Sequence, residues 1–197
     1  KSNDDPLTGV IATRGSVHNL FALDKDQNLW TWGRYSYSGA ASGSKSSTRN
    51  TATPVTPPNH TGSRIKMIGS TGRDVTNVDS SFYLYPTYYV LYEDGYLFSM
   101  GNNTYGQLGN FSNTAESTTW VQPHYPSNPT AANDNVAGNV MNDVAWISPQ
   151  EHDQIMPFIN IINKGGVLYN WGVEAAYSLG RNISSNGSST TGLVRVN

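Results

Sequence analysis

The chain has 197 residues, 37% of them apolar and only 13% charged, with a formal net charge of −2 and no cysteine. That is enough apolar material for one domain or a few repeats. The weak net charge and scattered Lys and Arg speak against a nucleic-acid partner, and the lack of cysteine removes disulfides and thiol chemistry. No run of about 18 apolar residues is present to span a bilayer, so no membrane insertion is expected, and the opening KSNDDPLTG has no signal-peptide apolar segment.

The first β-like stretch is TGVIA (residues 8–12). It leads into FALDKDQNLWTWGRYSYSGAA (21–41), then the polar segment SGSKSSTRNTATPVTPPNHTGS (42–63), which has no helical periodicity and reads as a connection. A second β-like stretch, RIKMIG (64–69), precedes YVLYEDGYLFSMGNNTYGQLG (89–109), and a third, DVAWIS (143–148), precedes NIINKGGVLYNWGVEAAYSLG (160–180). The three long segments align without a gap. Each carries a glycine (Gly33, Gly101, Gly172), a leucine four residues earlier, an aromatic three earlier (Trp30, Phe98, Tyr169), and Trp32, Met100 or Trp171 one earlier. Self-similarity of this kind marks a repeat architecture.

Within a unit the physics is that of a hairpin. Asp94-Gly95 and Gly165-Gly166 supply the positive φ that two-residue turns require. Period-2 alternation then puts Leu97 and Ser99 on one face of the second strand and Phe98 and Met100 on the other. The units run over about 8–63, 64–139 and 140–192, and GLVRVN at the C-terminus, from residue 193, reads as the start of a further one. The aligned rings and glycines (Trp30, Trp32, Gly33, Phe98, Met100, Gly101, Tyr169, Trp171, Gly172) are expected to form the repeat core, where truncating a ring costs about 3–5 kcal/mol.

EDGYLFSMGNNTYGQLG (93–109) resembles the regulator of chromosome condensation repeat, whose acidic-Gly turn, aromatic, Trp-Gly, Asn and Gly-Gln-Leu-Gly it follows closely, and GSVHNLFALD (15–24) is similar to that family's approach to the turn. The resemblance implies an all-β fold of three β-propeller-type blades, a partial propeller or arc with long loop insertions. The insertions are placed in TGRDVTNVDSSFYLYPT (71–87) and VQPHYPSNPTAANDNVAG (121–138). Three blades leave sheet edges and faces open, so either flanking repeats or a second copy are expected to complete the propeller, or the long insertions cap the arc, with flanking repeats of a longer propeller preferred. SGAA (38–41) and YSLG (177–180) depart from the family pattern.

Motifs for chemistry are absent or explained by turns. GNNTYGQLG lacks phosphate-loop spacing and a following helix, and GAASGSKSS has serine where a phosphate loop needs glycine before Lys45. DKDQN (24–28) starts like a calcium loop, but Leu29 replaces its obligatory glycine. His18, His60, His124 and His152 lack zinc-ligand spacing, no carboxylate pair stands out for glycoside hydrolysis, and no GxSxG elbow exists. Neither enzymatic activity, a cofactor nor a metal is expected.

The aromatics outside the repeat register, Tyr35, Tyr37, Tyr83, Tyr85, Trp120, His124 and Tyr125, are assigned to loops and insertions, where such rings give rigid contact area to a protein or stack on a sugar. The expected function is a non-catalytic recognition or adhesion module, binding a protein or glycan through loops on a rigid β scaffold. Five sequons (Asn59, Asn102, Asn110, Asn182, Asn186) and an Asn-, Ser- and Thr-rich composition suit an extracellular or cell-surface setting, as in bacterial surface proteins and adhesins that carry such repeats. The alternative, implied by the resemblance alone, is the family's nuclear role, guanine-nucleotide exchange on a small GTPase with chromatin docking, and the alternative location is cytoplasmic. Chromatin docking would want a basic face, which a slightly acidic chain does not suggest.

Overall fold

The computed structural model describes residues 5–16, 18–40, 43, 45–72, 85–112, 114–128, 136–151, 157–173 and 194–195. All regular structure among them is strand. Three four-stranded antiparallel sheets follow one another, each a simple meander. The first joins β1 (Val10–Ser16), β2 (Asn19–Asp24), β3 (Leu29–Tyr37) and β4 (Lys45–Val55); the second β5 (Ile65–Thr71), β6 (Thr87–Tyr92), β7 (Leu97–Asn102) and β8 (Glu116–Val121). A ribbon of β9 (His124–Pro126) and β10 (Ala137–Val140) precedes the third sheet of β11 (Val144–Pro149), β12 (Phe158–Asn163), β13 (Leu168–Gly172) and β14 (Val194–Arg195). The three sheets do not close into a ring, so the molecule is an arc of blades.

The central hairpins form where turn chemistry demands them. Gly95 and Gly166 have φ of 106° and 80°, and their amides donate to the carbonyls of Tyr92 and Asn163. The first hairpin lacks that glycine, and Gln27 takes the left-handed conformation at φ 71°. Asp24 compensates, its carboxylate accepting from the amides of Asp26 and Asn28 and from the Trp30 indole at 3.0 Å. Burial works against that charge, but the bonds together outweigh it and hold the Asp24 carboxyl below its ordinary range.

The repeated glycines act at one geometrically equivalent point. Gly33, Gly101 and Gly172 have φ of 102°, 124° and 115°. A side chain at any of them would run into the carbonyl oxygen of His18, Pro86 or Pro157 respectively. The amide of the next residue (Arg34, Asn102, Val173) donates to that same oxygen at 2.7, 3.1 and 2.9 Å. Only glycine permits so close a crossing.

The sheets stack face to face, and the middle one supplies both cores through its alternation. Tyr88, Val90, Phe98 and Met100 meet Phe21, Leu23, Leu29 and Tyr37 of the first sheet. Tyr89, Leu91 and Leu97 meet Ile147, Ile159, Ile161, Tyr169 and Trp171 of the third. The leading strands β1, β5 and β11 run beside one another, and Arg14 reaches across to Glu151 at 3.2 Å, linking the outer two sheets.

Trp30 and Trp32 occupy the register positions of Phe98 and Met100 but lie half-buried on the outer face of the first sheet, in neither core. Leu20, 39% exposed, stands where Tyr88 and Ile159 are fully covered. On the outer face of the third sheet Trp146 is likewise 54% exposed.

Three expectations are revised by the strands. The polar connection 42–63 contains the 11-residue β4, whose Ser and Thr residues suit an outermost strand paired on one side. Residues 194–195, read as opening a further unit, pair with Tyr169 and Asn170 as the outer strand of the third sheet, the place β4 and β8 hold in the others. Part of the second insertion is regular, since β9 and β10 pair within it.

Candidate functional site

The GNNTYGQLG loop is built by its own amides. Asn102 Oδ1 accepts from the Thr104 amide and from Gln107 Nε2, Asn103 Oδ1 from the Leu108 amide at 2.9 Å, and Gln107 Oε1 from the Tyr105 amide at 2.7 Å. The Gln107 carbonyl accepts from Tyr89 Oη and Trp171 Nε1, both at 2.8 Å. Gly109 lies beneath the Trp171 indole, where a Cβ would overlap the ring. The loop thus serves as the seat for the third sheet's tryptophan. Its Asn102, one of the sequon asparagines, is 3% exposed, whereas Asn59 is exposed.

At the rim where the first and second sheets meet, three tyrosines expected as separate loop contacts come together. Tyr85 sits 5.2 Å from both Tyr35 and Tyr37. Tyr37 belongs to β3 and is completely buried, and Tyr85 is 7% exposed, so neither offers a free ring face; both pack in the first core. Tyr35 also lies in β3, half-buried, with φ 55°. Charges surround the cluster. Lys45 Nζ lies 5.0 Å over the Tyr85 ring and 2.7 Å from Glu116, whose other carboxylate oxygen accepts from Tyr37 Oη. Arg49 Nε donates to Ser36 Oγ at 2.7 Å, and the Arg34 guanidinium stands 5.9 Å from the Tyr35 ring centre. Burial, reinforced by the Glu116 charge, drives the Tyr37 hydroxyl far above its ordinary pKa. Burial also raises that of Tyr85, against the opposing pull of Lys45.

The other ring candidates are dispersed. Trp120 is on β8, half-buried against the first core, and donates to the Thr56 carbonyl at 2.7 Å, which ties the two sheets. His124 and Tyr125 are on β9 at the second junction. There His124 Nδ1 is 2.9 Å from the Gly138 carbonyl, and Tyr125 donates to Asp143 and packs 4.9 Å from Tyr169. Tyr83 and His152 lie outside the described residues. Among the described residues no group of three His, Asp or Glu side chains is gathered to hold a metal ion. A cavity of about 270 Å³ opens along the leading strands, lined by Arg14, Met67, Trp146, Ser148, Gln150 and Glu151.

The cations of the tyrosine rim were missed because whole-chain charge conceals their grouping. No Asp or Glu occurs between Asp26 and Asp74, a stretch that carries Arg34, Lys45, Arg49, Arg64, Lys66 and Arg73; all 14 acidic residues lie outside it. A running charge count would have found a basic stretch inside an acidic chain.

Comparison with known proteins agrees with this architecture. Residues 94–142 match the family model of the Regulator of chromosome condensation (RCC1) repeat. No curated protein matches the chain. Among solved structures, it is similar to yeast RCC1 (Prp20) bound to Kap60, with a TM-score of 0.61 and 17% identity over 97% of this chain and 37% of that one. It is also similar to Prp20p from Saccharomyces cerevisiae, described with its binding to Gsp1p and histones (TM-score 0.57, 16% identity, 97% of this chain and 39% of that one). Human WBSCR16 gives a TM-score of 0.57 at 12% identity, over 98% of this chain and 39% of that one. The chain therefore spans about two fifths of these structures. The likeness is one of fold.

Proposed function

We propose that this chain is part of a propeller-type scaffold whose work is protein recognition, with regulation of a small GTPase as the leading specific role. The observation that supports it is the fold likeness to Prp20p, a protein described as binding Gsp1p and histones and seen bound to Kap60. The scaffold physics agrees: stacked sheets fix the frame, and recognition falls to rims and connections. On this reading the chain supplies binding surface, with no catalytic side chain of its own, and works in the cytoplasm or nucleus. The adhesion reading, with a glycan ligand at a cell surface, rests on composition, sequons and the aromatics outside the repeat register, without support from the fold likeness.

The test is direct. The purified chain is presented to a panel of small GTPases in nucleotide-free and loaded forms, with core histones alongside, and release of a labelled guanine nucleotide is followed. Retention of a GTPase with faster release supports the reading. Binding to a glycan array with no protein retained would replace it by adhesion.

A further inference from the structure

We propose that the extended β3–β4 hairpin of the first sheet, with Arg34, Lys45 and Arg49 set around the Tyr35 and Tyr85 rings, is a docking site for an acidic segment of a protein partner. The inference rests on the protein-recognition reading and adds to it a place and a partner chemistry.

The hairpin is the part of the arc that departs from the repeat. β3 has 9 residues and β4 has 11, whereas β7 and β8 have 6 each and β13 has 5. In the second and third sheets the return strand ends at or just after the repeat glycine; in the first it runs past Gly33 and stays paired, Arg34 with Thr48, Ser36 with Ser46 and Tyr37 with Lys45. The extra length carries Arg34 and Lys45, Arg49 stands opposite Gly33 at its base, and the hairpin's sequence holds no acid to neutralise them. The counter-charge within reach in the described structure is Glu116, brought from the second sheet.

Glu116 also shows how a carboxylate sits here. It accepts from Lys45 through both oxygens, at 2.7 and 2.9 Å, and from the Tyr37 hydroxyl at 3.0 Å. That leaves two guanidiniums with no further acid set against them among the described residues. Arg34 is exposed, and Arg49 is oriented by Ser36. Guanidinium groups suit carboxylates because their planar donors pair bidentately, and held side chains lose little entropy on binding. Tyr35 adds a second sign. A tyrosine at φ 55° is a backbone outlier of the kind that gathers at binding sites, and here it sets the ring between Arg34 and Tyr85. Two uncompensated charges on a chain of net charge −2 are too few to hold a nucleic acid backbone, which needs many phosphate contacts.

The experiment uses the whole chain and a fluorescein-labelled peptide of alternating glutamate and glycine, followed by anisotropy. Binding is expected, weakening as salt rises from about 50 to about 200 mM. Arg34→Glu, at an exposed position, should weaken it about ten-fold. Glu116→Gln should strengthen it several-fold, because the amide keeps the place while removing the negative charge that competes for the cluster; a merely structural Glu116 would not give that gain. Lys25→Glu, exposed at the opposite turn, should change little, and circular dichroism checks that each variant is folded. The inference is overturned if a glutamine-glycine peptide binds equally well, if an oligothymidylate binds more tightly than the acidic peptide, or if Arg34→Glu and Glu116→Gln leave binding unchanged. Should a GTPase or histone be retained while the acidic peptide is not, the hairpin assignment falls and the recognition reading stands. Should no protein be retained and the peptide still bind, the recognition reading falls and the hairpin site survives as an anion-binding surface.

Discussion

The two junctions of the arc solve one packing problem with different chemistry. Between the first and second sheets the core is aromatic and hydroxyl-bearing. Phe21 stacks on Tyr88 at 4.4 Å, and Tyr88 Oη donates to Asn19 and shares a hydrogen bond with Thr31, all out of water. Between the second and third sheets it is largely aliphatic, with Val144, Ile147, Ile159 and Ile161 against Leu91 and Leu97, and the Trp171 indole anchors one end on the Gln107 carbonyl. Both use the same register positions on their hairpins. Repeat geometry therefore specifies where a junction forms, and side-chain chemistry decides what it is sensitive to: volume at the aliphatic one, hydrogen bonding at the aromatic one.

The largest effect is expected at the second junction. Trp171→Ala should cost about 3–5 kcal/mol in chemical denaturation, through lost burial and the space left under the loop. Met100→Ala, fully buried at the first junction, should cost about 2–5 kcal/mol. Tyr88→Phe keeps the ring but removes one partner from Asn19 and Thr31, which still bond each other and the Trp32 and Leu20 carbonyls; about 0.5–1.5 kcal/mol is expected, and a value near zero would show that the hydroxyl does not specify the first junction. Combined with Trp171→Ala it should be additive, since the two share no partner.

Proton linkage gives a smaller and directional test that spans both junctions, since burial also raises the hydroxyls of Tyr89 and Tyr125 at the second. Burial raises the hydroxyl pKa of Tyr37, Tyr85 and Tyr88, and that of Tyr92 to about 12, all in the first core. Unfolded tyrosine titrates at its ordinary value of 10.0. The neutral folded hydroxyls therefore contribute stability that is complete below that value and is lost as pH climbs through the folded ones. Stability should fall steadily above about pH 10, less steeply in Tyr88→Phe, as read from denaturation midpoints across the alkaline range. Asp24 and Asp94 act in the opposite sense. Burial works against each charge, but hydrogen bonds, from Trp30 and Asn28 to Asp24 and chiefly from His60 to Asp94, hold both carboxyls below the ordinary 3.8. Their contribution is present above that value and fades as pH drops through the folded ones. Asp24→Asn should reduce the acid slope by a modest amount.

Much of this arrangement was legible in the residues. The aligned Leu, aromatic and Gly positions, with the Asp94-Gly95 and Gly165-Gly166 turns, are local features with strict backbone demands, and they located the central hairpins and the alternating faces of β7. The outer strands were harder. β4 and β8 are paired on one side only, so Ser and Thr serve as well as apolar residues and the alternating pattern fades. Tyr37 and Tyr85 read as loop residues because nothing in the sequence says that β3 continues beyond Gly33, or that Tyr85, near the end of the first insertion, packs into the first core. The cationic rim was visible only as a missing sign, the absence of acids over one stretch, which a summed charge erases.

The glycine crossing that recurs in all three sheets fixes what evolution and engineering are free to exchange. Because the backbone, and no side chain, makes that contact with His18, Pro86 and Pro157, each hairpin carries its own hinge pin of one shape. The same pin therefore holds hairpins whose packing residues differ widely, as the tyrosine-rich and isoleucine-rich junctions illustrate. The packing side chains can vary; the crossing inside each hairpin cannot accept even a methyl group.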